Sequence, residues 1–163
     1  MLLPTYAPMK SSPFRSPAGG IWSDLYMIAE SSAVSQARRF TEAYLRRRRL
    51  TPLTDTATLV TSELVTNAVR ATGTLPSPPV DAGGAGQAVV GLRLRLSPAG
   101  LFVEVWDRDP RPPVLAQAGA FDEGGRGLAL VDAFSKAWDH YPCAGTTPGK
   151  VVWAEISLGT VTS

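Results

Sequence analysis

Glu63 and Asn67 stand four residues apart in the run Thr61-Ser-Glu-Leu-Val-Thr-Asn-Ala68. In an apolar, helix-like stretch that spacing sets a carboxylate and an amide on one helical face, one turn apart. A carboxylate base beside a hard oxygen ligand is what hydrolysis or phosphoryl transfer at a magnesium nucleotide requires. The plain alternative is a solvated polar face on a surface helix. A second candidate is Asp107, in Val103-Glu-Val-Trp-Asp-Arg-Asp-Pro110. Val103, Val105 and Asp107 alternate with Glu104 and Trp106, so a strand runs into Asp107 and stops at Pro110. An Asp closing an apolar strand can accept a hydrogen bond from a buried amino group, such as the exocyclic amine of adenine. Asp109-Pro110 would equally suit an ordinary turn. A third candidate is Gly124-Gly-Arg-Gly-Leu-Ala-Leu-Val131, where glycines meet the start of a helix. Positions without side chains let phosphate oxygens approach backbone N–H groups, and a helix N-terminus adds a favourable partial charge. A Gly-rich loop alone is more often a turn.

The elements that must carry these residues can be read along the chain. Residues 1–20 are rich in Pro, Ser and Gly without periodicity, which predicts a disordered or loosely attached arm. Residues 21–28 predict a first strand at a sheet edge. Ser31 and Ser32 offer an N-cap for a helix with the face Val34, Ala37, Phe40, Tyr44 and Leu45. That helix ends in Arg46-Arg-Arg-Arg49, a basic last turn whose charges point all around the axis. This fits a solvated terminus better than a nucleic-acid patch, with an acidic protein partner as the other use. Pro52 opens the helix that carries Glu63 and Asn67, and the helix fails near Thr72-Gly73. Residues 74–87 are a Pro- and Gly-rich loop inserted within the domain. Val90, Leu92, Leu94 and Leu96 alternate with Arg93 and Arg95, a half-buried strand that turns at Ser97-Pro-Ala-Gly100 into the strand ending at Asp107. A helix over about 127–136 and strands near 137–141 and 150–158 complete the domain.

Together, Glu63-x-x-x-Asn67-Ala68, Asp107-x-Asp109-Pro110 and Gly125-x-Gly127-Leu128 resemble the N, G1 and G2 boxes of the GHKL ATPases. Among these, the small size and the wording of the boxes look most like bacterial anti-sigma factor serine kinases. The resemblance spans roughly residues 21–158, leaving 159–163 as a tail. It implies an α/β two-layer sandwich of the Bergerat type, with a mixed or antiparallel sheet covered on one face by helices. It implies Glu63 as general base, Asn67 as a magnesium ligand, and Asp107 as the residue selecting adenine. Asp109, Gly125, Arg126, Gly127 and Leu128 would complete the ATP site, with residues 111–124 as a mobile lid. The implied function is a Mg-ATP-binding regulator, an anti-sigma factor with serine/threonine kinase activity toward an anti-sigma antagonist. Its partners would be a sigma factor, the antagonist or both, and a homodimer is allowed. The alternative is a non-catalytic, ATP-dependent protein-binding module. One departure stands out: the family often has Thr after Gly-Lys, holding adenine through water, where this chain has Val151. Loss of that contact would cost about 1 kcal/mol.

Composition bounds the remaining classes. The 163 residues are 44% hydrophobic and 18% charged, the profile of one globular domain. A net charge of +2 gives no nucleic-acid signature. Cys143 is the one cysteine, excluding an internal disulfide and a multi-cysteine zinc site and suiting a cytoplasmic setting. There is no membrane-length apolar run, and the start lacks the pattern of a signal peptide. His140 is the sole histidine, so no two-histidine metal site can form within a chain. Nor is there room for the helical hairpin that carries the phosphoacceptor histidine of a sensor kinase. Trp22, Trp106, Trp138 and Trp153 read as core or rim residues.

Overall fold

A computed structural model describes residues 11–17, 19–78, 86–114, 126–143 and 147–159. Five strands form one fully antiparallel sheet in the order β1-β2-β3-β5-β4. They are β1 (Ile21–Ile28), β2 (Val89–Ser97), β3 (Gly100–Asp107), β4 (Ala137–Pro142) and β5 (Lys150–Ile156). Helices α1 (Ser32–Arg47), α2 (Thr54–Gly73) and α3 (Arg126–Phe134) cover one face, giving the expected two-layer sandwich with an antiparallel rather than mixed sheet. A short 3-10 turn, Thr51–Leu53, holds Pro52 ahead of α2. Among the described residues no helix is long and apolar enough to cross a membrane.

The period-two alternation of the strands sorts their side chains into two cores. Leu92, Leu94, Leu101, Val103, Val105, Val152 and Ala154 face the helices and pack on Ala37, Leu45, Val60, Leu64 and Val65. The opposite residues, Trp106, Val151 and Tyr141, form a smaller cluster on the outer face with Phe14. Arg93, expected on a half-solvated face, is 4% exposed. Asp24 accepts two hydrogen bonds from it, at 2.7 and 2.8 Å, so the buried charge is paired.

The outer face is covered because residues 11–17 do not hang free, which corrects the expectation of a loose arm through that stretch. Phe14 is 5% exposed. The Arg15 amide donates to the Tyr141 hydroxyl at 3.1 Å, and Arg93 donates to the Arg15 carbonyl at 3.2 Å. Ser11 shares a hydrogen bond of 3.0 Å with Thr147, and the Cys143 thiol donates to the Pro13 carbonyl at 3.4 Å. Burial pushes the Tyr141 phenol up to about 12. Residues 1–10, residues 79–85 of the 74–87 loop, the expected lid from 115 to 124, and the tail from 160 lie outside the described residues.

Two local expectations change. Neither Ser31 nor Ser32 caps α1 with its side chain; the Glu30 carbonyl accepts from the Ala33 amide instead. The arginine run is not one helical turn, for α1 ends at Arg47. Arg48 stacks on the Tyr44 ring and donates to its carbonyl at 3.2 Å, and Arg49 adopts a left-handed φ of 57°.

Candidate nucleotide site

Asp107 on β3 lies directly opposite Lys150 on β5, at the ends of two strands whose other inward residues are apolar. The two are 2% and 4% exposed. The Lys150 ammonium donates to Asp107 Oδ1 at 3.0 Å and to the Asp109 carbonyl at 2.9 Å. The Asp109 amide also donates to Asp107 Oδ1, at 2.9 Å. Asp107 Oδ2 makes no hydrogen bond among the described residues. Burial raises the Asp107 carboxyl above the usual range, while the Lys150 ammonium and the Asp109 amide pull it back. Gly149 permits this junction: its φ is 108°, and a Cβ there would collide with the Asp107 carbonyl.

Above the pair lies a cavity of about 340 Å³, the size of a small-molecule site. Leu64 and Ala68 of α2, Val105 and Val152 of the sheet, and Leu128 of α3 give it apolar walls. Asn67, Arg70, Asp107, Asp109, Arg111 and Lys150 supply polar groups. A flat aromatic base with a polar edge suits such a slot.

Asn67 reaches the cavity, while Glu63 stands one turn away beyond its wall. Both approach the first turn of α3, since a Cβ on Gly127 would lie 2.7 Å from Glu63 Oε2 and 3.4 Å from Asn67 Oδ1. The missing side chain of Gly127 thus makes room for the Glu63 carboxylate beside the unpaired N–H groups of a helix start. Arg126 is exposed on that turn and Leu128 is buried in the cavity wall. Gly125 lies outside the described residues.

Asp109 lines the cavity and has a structural task as well. Its carboxylate accepts from the Arg111 side chain at 2.7, 2.9 and 3.0 Å and from the Arg111 amide at 3.0 Å. Those hydrogen bonds hold its carboxyl below the usual range. Arg111 also donates to the Thr74 hydroxyl at 2.7 Å, and Arg108 to the carbonyls of Leu75 and Pro76. Asp109 therefore ties the loop after β3 to the end of α2 from its place on the cavity lining. Val151 also changes meaning. Its side chain is on the outer face with Phe14 and Trp106, and Val152 lines the cavity. A hydroxyl at position 151 would not reach the base, so the loss expected there does not follow.

Lys150 is the residue that sequence reasoning missed. Its signal is a lone charge in the inward half of an alternating strand, with Val152, Ala154 and Ile156.

The donors present fit a magnesium nucleotide. Among the described residues no cluster of three or more His, Cys, Asp or Glu could hold an ion alone. Asn67 offers one hard oxygen at the mouth of an apolar slot, and magnesium commonly takes its other ligands from phosphates and water.

Residues 27–156 match the family model of the histidine kinase-like ATPase domain. Among curated proteins none matches the chain.

Proposed function

The chain belongs to the histidine kinase-like ATPase family, of GHKL type, and on that premise we propose that it is a Mg-ATP-dependent regulator that phosphorylates a partner protein on serine or threonine. The carrying observation is Glu63 and Asn67 converging on Gly127, with the buried Asp107 on the cavity beside them. In this reading Asp107 Oδ2 accepts from the adenine amine and would repel the carbonyl oxygen that guanine carries there. Asn67 would ligate magnesium with its amide oxygen, and the first turn of α3 would offer N–H groups to phosphate oxygens. When bound, Mg-ATP supplies a phosphoryl group whose charge the ion helps neutralise. Glu63 takes the proton from the incoming hydroxyl. By resemblance the partners are a sigma factor and its anti-sigma antagonist, in the cytoplasm.

Calorimetric titration with ATP, ADP and GTP in the presence of magnesium tests the site. Micromolar to millimolar binding of the adenine nucleotides, with GTP far weaker, is expected; equal GTP binding overturns the assignment. Affinity capture from the native host followed by mass spectrometry tests the partners. Recovery of neither a sigma factor nor an antagonist removes the regulatory reading even if ATP binds. ATP binding without transfer to any captured serine-bearing protein leaves the non-catalytic module.

Gly127→Ala separates folding from chemistry. The new methyl group would lie 2.7 Å from Glu63 Oε2 and 3.4 Å from Asn67 Oδ1, the far ends of two side chains, in the first turn of α3. Thermal melts should show nearly unchanged stability. Phosphate transfer should fall about tenfold or more, since displacing a base by an ångström forfeits much of its effect.

A further inference from the structure

Lys150 has three N–H donors, and two are used within the chain, on Asp107 Oδ1 and the Asp109 carbonyl. The third has no partner among the described residues, and Lys150 lines the cavity. Asp107 likewise spends Oδ1 on internal donors and leaves Oδ2 without one. The end wall of the slot thus carries an ionised acceptor and an ionised donor side by side. The 6-amine and N1 of adenine form a donor beside an acceptor, the complementary pattern. We propose that Lys150 is a second base-reading residue, donating directly to adenine N1 while Asp107 accepts from the 6-amine. Guanine and hypoxanthine, bound in that orientation, meet two repulsions: O6 against the carboxylate and N1–H against the ammonium. This rests on the ATP-site reading above.

The test compares ATP with 1-deaza-ATP, which keeps the 6-amine and replaces N1 by C–H. Loss of one hydrogen bond to a charged donor should weaken binding by about ten- to a hundredfold in the parent protein. In Lys150→Met the two nucleotides should bind alike, and inosine triphosphate should be rejected less strongly than by the parent. Removing one of a buried pair can prevent folding, so a second readout uses the unaltered chain. Its three lysines, Lys10, Lys136 and Lys150, make a lysine-selective ¹⁵N spectrum simple. The buried ammonium resonance should move on addition of ATP and move much less with 1-deaza-ATP. Equal affinity for the two nucleotides in the parent, a ratio that persists in folded Lys150→Met, or an ammonium signal shifted alike by both overturns the inference while leaving ATP binding intact. Absence of ATP binding would instead remove the reading it rests on.

Discussion

Asp107→Asn and Lys150→Met are each expected to destabilise the domain by about 3–5 kcal/mol, and the double variant is expected to recover most of that loss. Each single change strands one member of a pair that is 2% and 4% exposed. Desolvation of the remaining partner is then uncompensated. Removing both ends the penalty, because the strands around them are apolar and Met fills nearly the volume of Lys. Urea denaturation of the parent and three variants gives the coupling directly, and simple additivity would show that the pair is not energetically linked. Nucleotide binding should behave differently. Asp107→Asn replaces an ionised acceptor by a neutral one at the base, so ATP affinity should fall by roughly 1.5–3 kcal/mol. The double variant should not restore it. Stability that recovers without binding would separate what the pair does for the fold from what it does for the ligand.

Glu63→Gln should lower phosphate transfer by about 10²–10⁴-fold while leaving ATP affinity nearly unchanged. Gln keeps the shape of the side chain against Gly127 and loses the ability to take a proton. Glu63 also lies beyond the cavity wall, which argues against a large share in holding the base. Asn67→Ala should differ, weakening both Mg-ATP binding and transfer because it removes an amide that lines the cavity. Phosphate incorporation from labelled ATP into the captured partner, with a titration for each variant, distinguishes the two residues. Transfer by Glu63→Gln at the parent rate would remove Glu63 from the role of base.

Much of this was legible because periodicity survives folding. The alternation Val103, Val105, Asp107 predicts that Asp107 shares the inward face, and it does. The four-residue spacing of Glu63 and Asn67 predicts one helical face, and both approach Gly127. What escaped the sequence depends on residues far apart along the chain. Arg93 reads as a solvated charge on an alternating strand, and Asp24, the carbonyl of Arg15 and the Phe14 ring, all distant in sequence, make its burial tolerable. Phe14 sits in a Pro- and Ser-rich stretch whose composition predicts no packing, yet its partners Trp106, Tyr141 and Val151 come from three different strands. Asp109 shows what a motif leaves out: it lines the cavity beside Asp107, and Arg111 two residues on takes up its carboxylate.

The Asp107–Lys150 pairing across β3 and β5 also bears on how the chain finds one alignment among many. Both strands have apolar residues on each face: Val105 and Val152 inward, Trp106 and Val151 outward. A shift of β5 by one residue would exchange its two faces and carry Glu155 inward as well as Lys150 outward. Here such a shift would carry Lys150 from its carboxylate into the ring cluster of Phe14, Trp106 and Tyr141, and would press the Gly149 turn off the Asp107 carbonyl. An unpaired ammonium among aromatic rings costs far more than a mispacked valine. The ion pair at the strand ends therefore acts, together with Glu155, as a pin against misalignment, penalising the wrong pairings more than it strengthens the right one.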